Sequence, residues 1–405
     1  MHCCRTAETD IIQLPFLLRN RHVMNKFIYL DNAATTRVRP EVADSMRPFL
    51  ENMFANPAGV YTFAGKTNVT IEEEREKIAR FIGAKAKEIY FTGGGSESDN
   101  WALKGIASAN KEKGRHIITS KIEHPAILRT CEFLEKKGFE ITYIDVDDKG
   151  FVDLKMLEKS IRADTILISI MLANNEIGTI EPVRKIAEIA KEHGVLFHTD
   201  AVQAYGHVDI NVKEMGIDLM SVSGHKINGP KGIGFLYIRS GVRIENLIHG
   251  GSQERGMRAG TVNVAGIVGM GTATELAEAS LKKRFEYETQ LRDYMIDRVE
   301  REITEVRLNG DRKNRLSNNI NFSFENANGE MILIMLDQMG ICASAGSACS
   351  AGSVDPSHVL LAIGLPEKFV RNSLRITISY DTTKDDIDYT VDSLKQIVER
   401  LRKKI

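Results

Sequence analysis

The stretch from Thr165 to Met171 reads TILISIM. It is nearly all apolar, too short for a buried helix and rich in β-branched residues, the pattern of a strand covered on both faces. Such a strand needs helices packed above and below it, which narrows the chain to an α/β architecture. The neighbouring pattern agrees. Strand-like runs occur at Phe27–Leu30, Ile89–Phe91, His116–Thr119, Glu140–Ile144, Val195–His198, Leu219–Ser223 and Gly234–Ile238. Helical spacing falls between many of them, at Ile71–Phe81 with Gly83 as its stop, through Trp101, Leu103 and Ile106, at Ile127–Leu134 and at Val183–His193. Alternation at this spacing predicts a mostly parallel sheet wrapped by helices. From Ala265 the character changes. A long helical stretch reaches about Ile303, followed by a strand (Asn319–Phe324), a helix (Glu330–Met339) and a last strand (Leu374–Ser379), which reads as a smaller α+β domain.

The chain carries 54 Lys+Arg against 55 Asp+Glu, so it offers no electrostatic reason to bind nucleic acid or an acidic membrane surface. No apolar run reaches the roughly 18 residues of a membrane-spanning helix. Cysteines stand at 3, 4, 131, 342 and 349; an odd, sparse set in 405 residues does not make a disulfide framework, and no pair has zinc-site spacing. A reducing, cytoplasmic setting is expected, and no resident metal. Residues 1–23 mix a CC pair, acids and a short broken apolar run, a poor signal peptide. They read as an N-terminal extension without function, the working protein starting near Met24.

Four strand ends carry polar chemistry, where open α/β sheets bind ligands. TGGGSE (residues 92–97) can cradle an anion at a helix N-terminus, or be a plain turn capped by Ser96. Asp200 closes an apolar strand, where a carboxylate is costly unless a cation pairs with it; it also suits a helix cap. Lys226 follows a strand in a small-residue context that suits a Schiff base, although most lysines are surface groups. His124 could stack on a flat ring and move protons, or be a loop residue. Taken together, a phosphate cradle, an acid for a ring nitrogen, a Schiff-base lysine and a stacking imidazole are the parts that pyridoxal 5'-phosphate requires.

The motifs YLDNAATT (29–36), ANNEIGT (173–179), HTDAVQ (198–203), SGHK (223–226), GPKGIG (229–234) and QERGMRAGT (253–261) resemble the cysteine desulfurases of the NifS/IscS type. These are class V, fold-type I pyridoxal-phosphate enzymes. The resemblance runs from about Met24 almost to the C-terminus. It implies a seven-stranded, mostly parallel sheet in a large domain (41–262), and a small α+β domain (24–40 plus 263–405) carrying a loop of about 343–356. It implies a homodimer with shared active sites that takes sulfur from L-cysteine and leaves L-alanine. The acceptor would be an iron–sulfur scaffold or a tRNA-thiolation protein. Selenocysteine lyase or another class V activity is the alternative.

The resemblance also assigns roles. Lys226 bears the cofactor as a Schiff base and shuttles the Cα proton. Asp200 pairs with the ring nitrogen, Gln203 bonds the ring hydroxyl, and His124 stacks on the ring as an acid/base. Gly95, Ser96, Ser223 and His225 hold the phosphate with Thr261 from the other subunit. Asn175 borders cofactor and substrate, Arg375 takes the substrate carboxylate, and Asn32 assists it. Cys349, in ASAGSACSAGS (343–353), attacks the substrate sulfur and becomes a persulfide; its one metal role would be as a transient iron–sulfur ligand. Its small-residue surroundings suit a loop that moves, as in the long-loop branch of the family. Three departures stand out. The phosphate turn reads GGGSE instead of SGATE, residues 58–65 lack a usual His, and Ser252 replaces a usual Gly.

Overall fold

A computed structural model describes residues 27–345 and 356–403. Its strands are β1 (Ile28–Tyr29), β2 (Ile89–Thr92), β3 (His116–Ser120), β4 (Glu140–Ile144), β5 (Thr165–Ser169), β6 (Leu196–Asp200), β7 (Leu219–Ser223), β8 (Gly234–Ile238), β9 (Val306–Leu308), β10 (Asn319–Phe324), β11 (Ile341–Cys342) and β12 (Ser373–Thr377). Its α-helices are α1 (Pro40–Glu51), α2 (Thr62–Phe81), α3 (Gly95–Asn110), α4 (Pro125–Glu135), α5 (Leu154–Ser160), α6 (Val183–Glu192), α7 (Val264–Glu302), α8 (Gly329–Gln338), α9 (His358–Ala362), α10 (Glu367–Val370) and α11 (Lys384–Arg402).

The large sheet has seven strands in the order β2-β8-β7-β6-β5-β3-β4. Pairing is parallel from β7 through to β4. The exception is β8, which runs antiparallel between β7 and β2. Every residue of β3, β5, β7 and β8 is buried, as the apolar run at Thr165 demands. Hydrophobic burial on both sheet faces is the main stabilising term. Because the parallel strands share one direction, Ser120, Asp200 and Ser223 all end at the same edge, and the site forms beyond it.

A second core surrounds the antiparallel sheet β12-β10-β9, with Phe322, Phe324, Leu374 and Ile376 fully buried. Parallel pairing of β1 with β11, and an Asp31–Thr377 bridge to β12, bring the start of the chain into this smaller part.

Helix α7 joins the two cores. Ile267, Met270 and Ala273 pack with the large sheet, and Leu291, Met295, Ile296 and Val299 pack with the small one. Between them Arg284 Nε donates to Glu288 Oε1 at 2.7 Å, and Ser317 Oγ donates to Glu288 Oε2 at 2.7 Å. The division drawn at 262/263 falls at the threshold of this helix, whose residues serve both sides.

Helices α1, α5, α9 and α10 are absent from the sequence reading, and α2 begins nine residues before Ile71. The extra turns of α2 contain Gly65, Thr67, Asn68 and Thr70, which are poor helix formers; burial of Ala64 and Thr67 overrides their propensity.

Candidate active site

A cavity of about 190 Å³ lies beyond the carboxyl ends of the parallel strands. Its walls include Gly95, Ser96, His124, Asn175, Asp200, Gln203, Ser223, His225 and Lys226. Nine residues singled out from sequence therefore meet in one place.

Each arrives by a local device. Gly94 has φ +145°, which L side chains rarely adopt, and starts α3 so that its first amides face the cavity. A Cβ on Gly95 would meet Val202 Cγ2 at 2.6 Å, so only glycine lets the turn lie this close to the β6 end. A second opening, lined by Gly93, Gly94, Gly95, Ser96, Ser223 and His225, continues outward from the turn. His124 caps α4, its Nδ1 accepting from the Ala126 N–H at 3.1 Å. Lys226 sits in a short 3-10 turn after β7, and its Nζ donates to the carbonyls of Ala33 and Ala34. Gln203 Nε2 donates to the Ala33 carbonyl at 3.0 Å, and His225 Nδ1 shares a 3.1 Å hydrogen bond with Thr35 Oγ1. Of the segment 29–36, Ala34 lines the cavity, and Ala33, Ala34 and Thr35 anchor its polar side chains.

Electrostatics sort the groups. Burial raises Asp200, while His124, the Val202 N–H (2.9 Å to Oδ1) and Lys226 oppose the rise. Burial holds His124 below the ordinary imidazole range, with Asp200 pulling it back up. His225 is lowered to about 4 by burial and by Lys226, so it presents a neutral imidazole. Atoms of Asp99, His124 and Asp200 lie within 4.8 Å of one another.

Arg375 lies beside this cavity, fully buried on β12. Its Nη2 donates to Asp31 Oδ1 at 2.8 Å and its Nη1 to the Asn175 carbonyl at 3.1 Å, while Nε has no partner. The spare donor and the bidentate fork suit a carboxylate. Asn32 does not line the cavity; its Nδ2 donates to the Thr377 and Tyr29 carbonyls at 2.8 and 3.4 Å. Thr261 is exposed and away from its own chain's cavity. Cys349, Cys3 and Cys4 lie outside the described residues, as do residues 1–23. Cys131 is buried and Cys342 half-buried, both thiols pushed up by burial.

Both flanks of the Cys349 segment are tied to this site. Ser344 pairs with Arg375 through two backbone hydrogen bonds. On the return side, Ser357 Oγ donates to Glu176 Oε2 at 2.5 Å, and His358 Nε2 bonds the Glu123 carbonyl at 2.9 Å. The sequence reading missed Asp99, Glu123 and Glu176. Asp99 could have been found, since it stands four residues beyond Gly95 and so shares that face of α3.

The fold and site define a class: the chain belongs to the aminotransferase class-V family, whose pattern matches residues 28–390. Among particular proteins, it is 57% identical over 379 residues to the cysteine desulfurase IscS of Dictyoglomus turgidum, covering 94% of this chain and 96% of that one. It is 52% identical to cysteine desulfurase IscS of Methanosarcina thermophila, covering 93% of each. A solved NifS-like protein superposes with a TM-score of 0.88 at 37% identity, covering 93% of this chain and all of that one. Another, from Rickettsia africae, gives 0.84 at 30% identity, covering 92% of this chain and all of that one.

Members of this family are pyridoxal-phosphate-dependent, and the residues present fit that group. The Gly94–Gly95 turn leaves a cradle that a Cβ would fill, and a buried carboxylate, a lysine amine and an imidazole converge on one small cavity.

Proposed function

We propose that this chain is a cysteine desulfurase, carrying pyridoxal phosphate on Lys226 and moving sulfur from L-cysteine to Cys349 with release of L-alanine. One observation supports this most: the flanks of the Cys349 segment are bonded to Arg375 and Glu176, both of which adjoin Asn175 in the wall of the cavity that gathers Lys226, Asp200 and His124. Cys349 is five residues from Ser344, so its Cα is tethered within at most about 18 Å of the Ser344 Cα.

Bound there, the cofactor supplies an electron sink for the carbanion formed at the substrate Cα. The protein's own residues do the rest. Gly95, Ser96, Ser223 and His225 hold the phosphate, joined by Thr261 of a second subunit. Asp200 keeps a proton on the ring nitrogen, and Gln203 and Asn175 orient the ring. Arg375 takes the substrate carboxylate in place of Asp31, with Asn32 fixing the backbone beside it. Lys226 Nζ removes the Cα proton and returns it, and His124 serves the second proton transfer. The Cys349 thiolate attacks the substrate sulfur; the C–S bond breaks, its electron pair stays with carbon, and a proton completes alanine.

The segment from Leu50 to Val69 exposes Leu50, Phe54, Val60, Tyr61 and Val69, an apolar set that fits burial in a homodimer. Iron–sulfur assembly or tRNA thiolation is the proposed destination of the sulfur, in a cytoplasmic setting.

The test is mass spectrometry of the cofactor-loaded protein after brief exposure to L-cysteine, with alanine quantified in the same tube. A sulfur adduct on the Cys349 peptide, matched by alanine and absent from Cys349→Ser, is expected. Alanine without the adduct would sink the assignment of Cys349.

A further inference from the structure

Behind Asp200 stands a second buried carboxyl that the proposed chemistry does not use. Asp99, on the second turn of α3, is 1% exposed and reaches the cavity wall. Its Oδ1 has no hydrogen-bond partner. The nearest ring nitrogen, His198 Nε2, is 3.9 Å away. That imidazole is engaged on both sides, by Ser221 Oγ and Ser169 Oγ at 2.9 Å each. Burial lowers His198 to about 3, so it is neutral and offers Asp99 no charge.

Two carboxylates this close, both buried, do not both keep a negative charge. The surroundings decide which one gives it up. Asp200 has the Val202 N–H on Oδ1 and the attraction of His124 and Lys226. Asp99 faces Asp200 from β6, Glu123 from the turn entering α4 and the neutral His198, with only the Ser221 hydroxyl favouring its ionised form. Glu123 itself is raised to about 8 by burial, so at neutral pH it brings no positive charge that could hold Asp99 ionised.

We infer that Asp99 holds a proton in the working enzyme and acts as a positioning residue, a neutral wall that leaves the single negative charge of the pair on Asp200. This deepens the proposed pyridoxal-phosphate reading and rests on it. The arrangement has a purpose in that reading. The ring nitrogen needs one localised carboxylate, whereas a proton shared between two carboxyls would blur that charge.

The experiment uses the holoenzyme, wild type and Asp99→Asn, the neutral isostere of a protonated acid. Two readouts are taken. The first is the infrared difference spectrum between the two proteins at neutral pH. A protonated-carboxyl C=O stretch that vanishes in Asp99→Asn is expected; loss of a carboxylate band instead overturns the inference. The second is the pH midpoint of the bound cofactor's visible absorbance. Removing a neutral group leaves the midpoint within a few tenths of a unit. Removing a negative charge would lower it by about one unit or more, because the charge favours the protonated imine, and that shift also overturns the inference. Asp99→Ala, which takes away the wall itself, is expected to move the midpoint and to lower kcat about tenfold without raising KM; a wild-type-like Ala variant sinks the positioning role. A wild-type protein with no visible cofactor band would overturn the pyridoxal-phosphate reading and the positioning role with it. The infrared result would still report the charge on Asp99, so the two failures are distinct.

Discussion

The backbone N–H of Arg375 donates to the Ser344 carbonyl at 2.6 Å, and the Arg375 carbonyl accepts from the Ser344 N–H at 3.1 Å. The residue whose side chain offers a carboxylate fork is therefore also the backbone partner of the segment that leads to Cys349. In the proposed chemistry, ground for the substrate and ground for the nucleophile would be a single strand position.

Arg375→Lys keeps the charge and the β12 pairing but loses the fork. KM for L-cysteine should rise about tenfold or more, the scale of one charge-assisted hydrogen bond, with a smaller change in kcat. Steady-state alanine production at varied cysteine checks this. An unchanged KM would remove Arg375 from substrate binding.

Glu123 gives a pH prediction. Its Oε1 accepts from Ser120 Oγ at 2.7 Å and from the Met171 N–H at 2.9 Å, while Oε2 is buried without a partner. Burial raises it from 4.5 to about 8. The folded state thus binds this proton more tightly than the unfolded chain. The resulting stability is full below about pH 4.5 and is lost as pH rises through about 8. Glu123→Gln should flatten the fall in Tm across that window, measured by scanning calorimetry from about pH 6 to 9; a parallel fall in both proteins would refute it.

Gly234 opens β8 directly against the phosphate turn. A Cβ there would meet the Val222 carbonyl oxygen at 2.3 Å and Gly94 Cα at 2.8 Å, both backbone atoms that cannot step aside. Gly234→Ala should cost about 1–3 kcal/mol of stability and loosen cofactor retention. Urea unfolding and the rate of cofactor loss on dialysis measure the two effects. Retention equal to wild type would show that the turn tolerates the displacement.

The apolar set near α2 predicts that the double substitution Phe54→Asp with Val60→Asp shifts the protein towards monomer. It should also weaken the phosphate end of the site, since Thr261 of the second subunit would be lost. Sedimentation velocity reads the first effect and cofactor titration the second. A monomeric wild type would end this reading.

Much of the site was legible in sequence because strand ends are local signals. Asp200, Ser223 and Lys226 each close or follow an apolar run, and the parallel sheet delivers those ends to one edge. What stayed hidden depends on pairs far apart in the chain. Asp31 and Arg375 meet across 344 positions, and Ser357 and Glu176 across 181. No periodicity announces such contacts. Asp99 was passed over for another reason: a lone acid in a helix ordinarily faces solvent. In the fold, β8 was recognised as a strand but not as the reversed one, because a single apolar run carries no direction.

Helix α7 has a consequence for anyone who would divide this protein. At about 1.5 Å per residue its 39 residues form a rod of roughly 58 Å, driven into one core at its head and the other at its tail. A gene cut at position 263 would strip the large sheet of Ile267, Met270 and Ala273 and leave the other fragment with a greasy, unmated spike. Neither product would be a module. The parts of this enzyme are neighbours in space with a common beam, and evolution could have exchanged them only together.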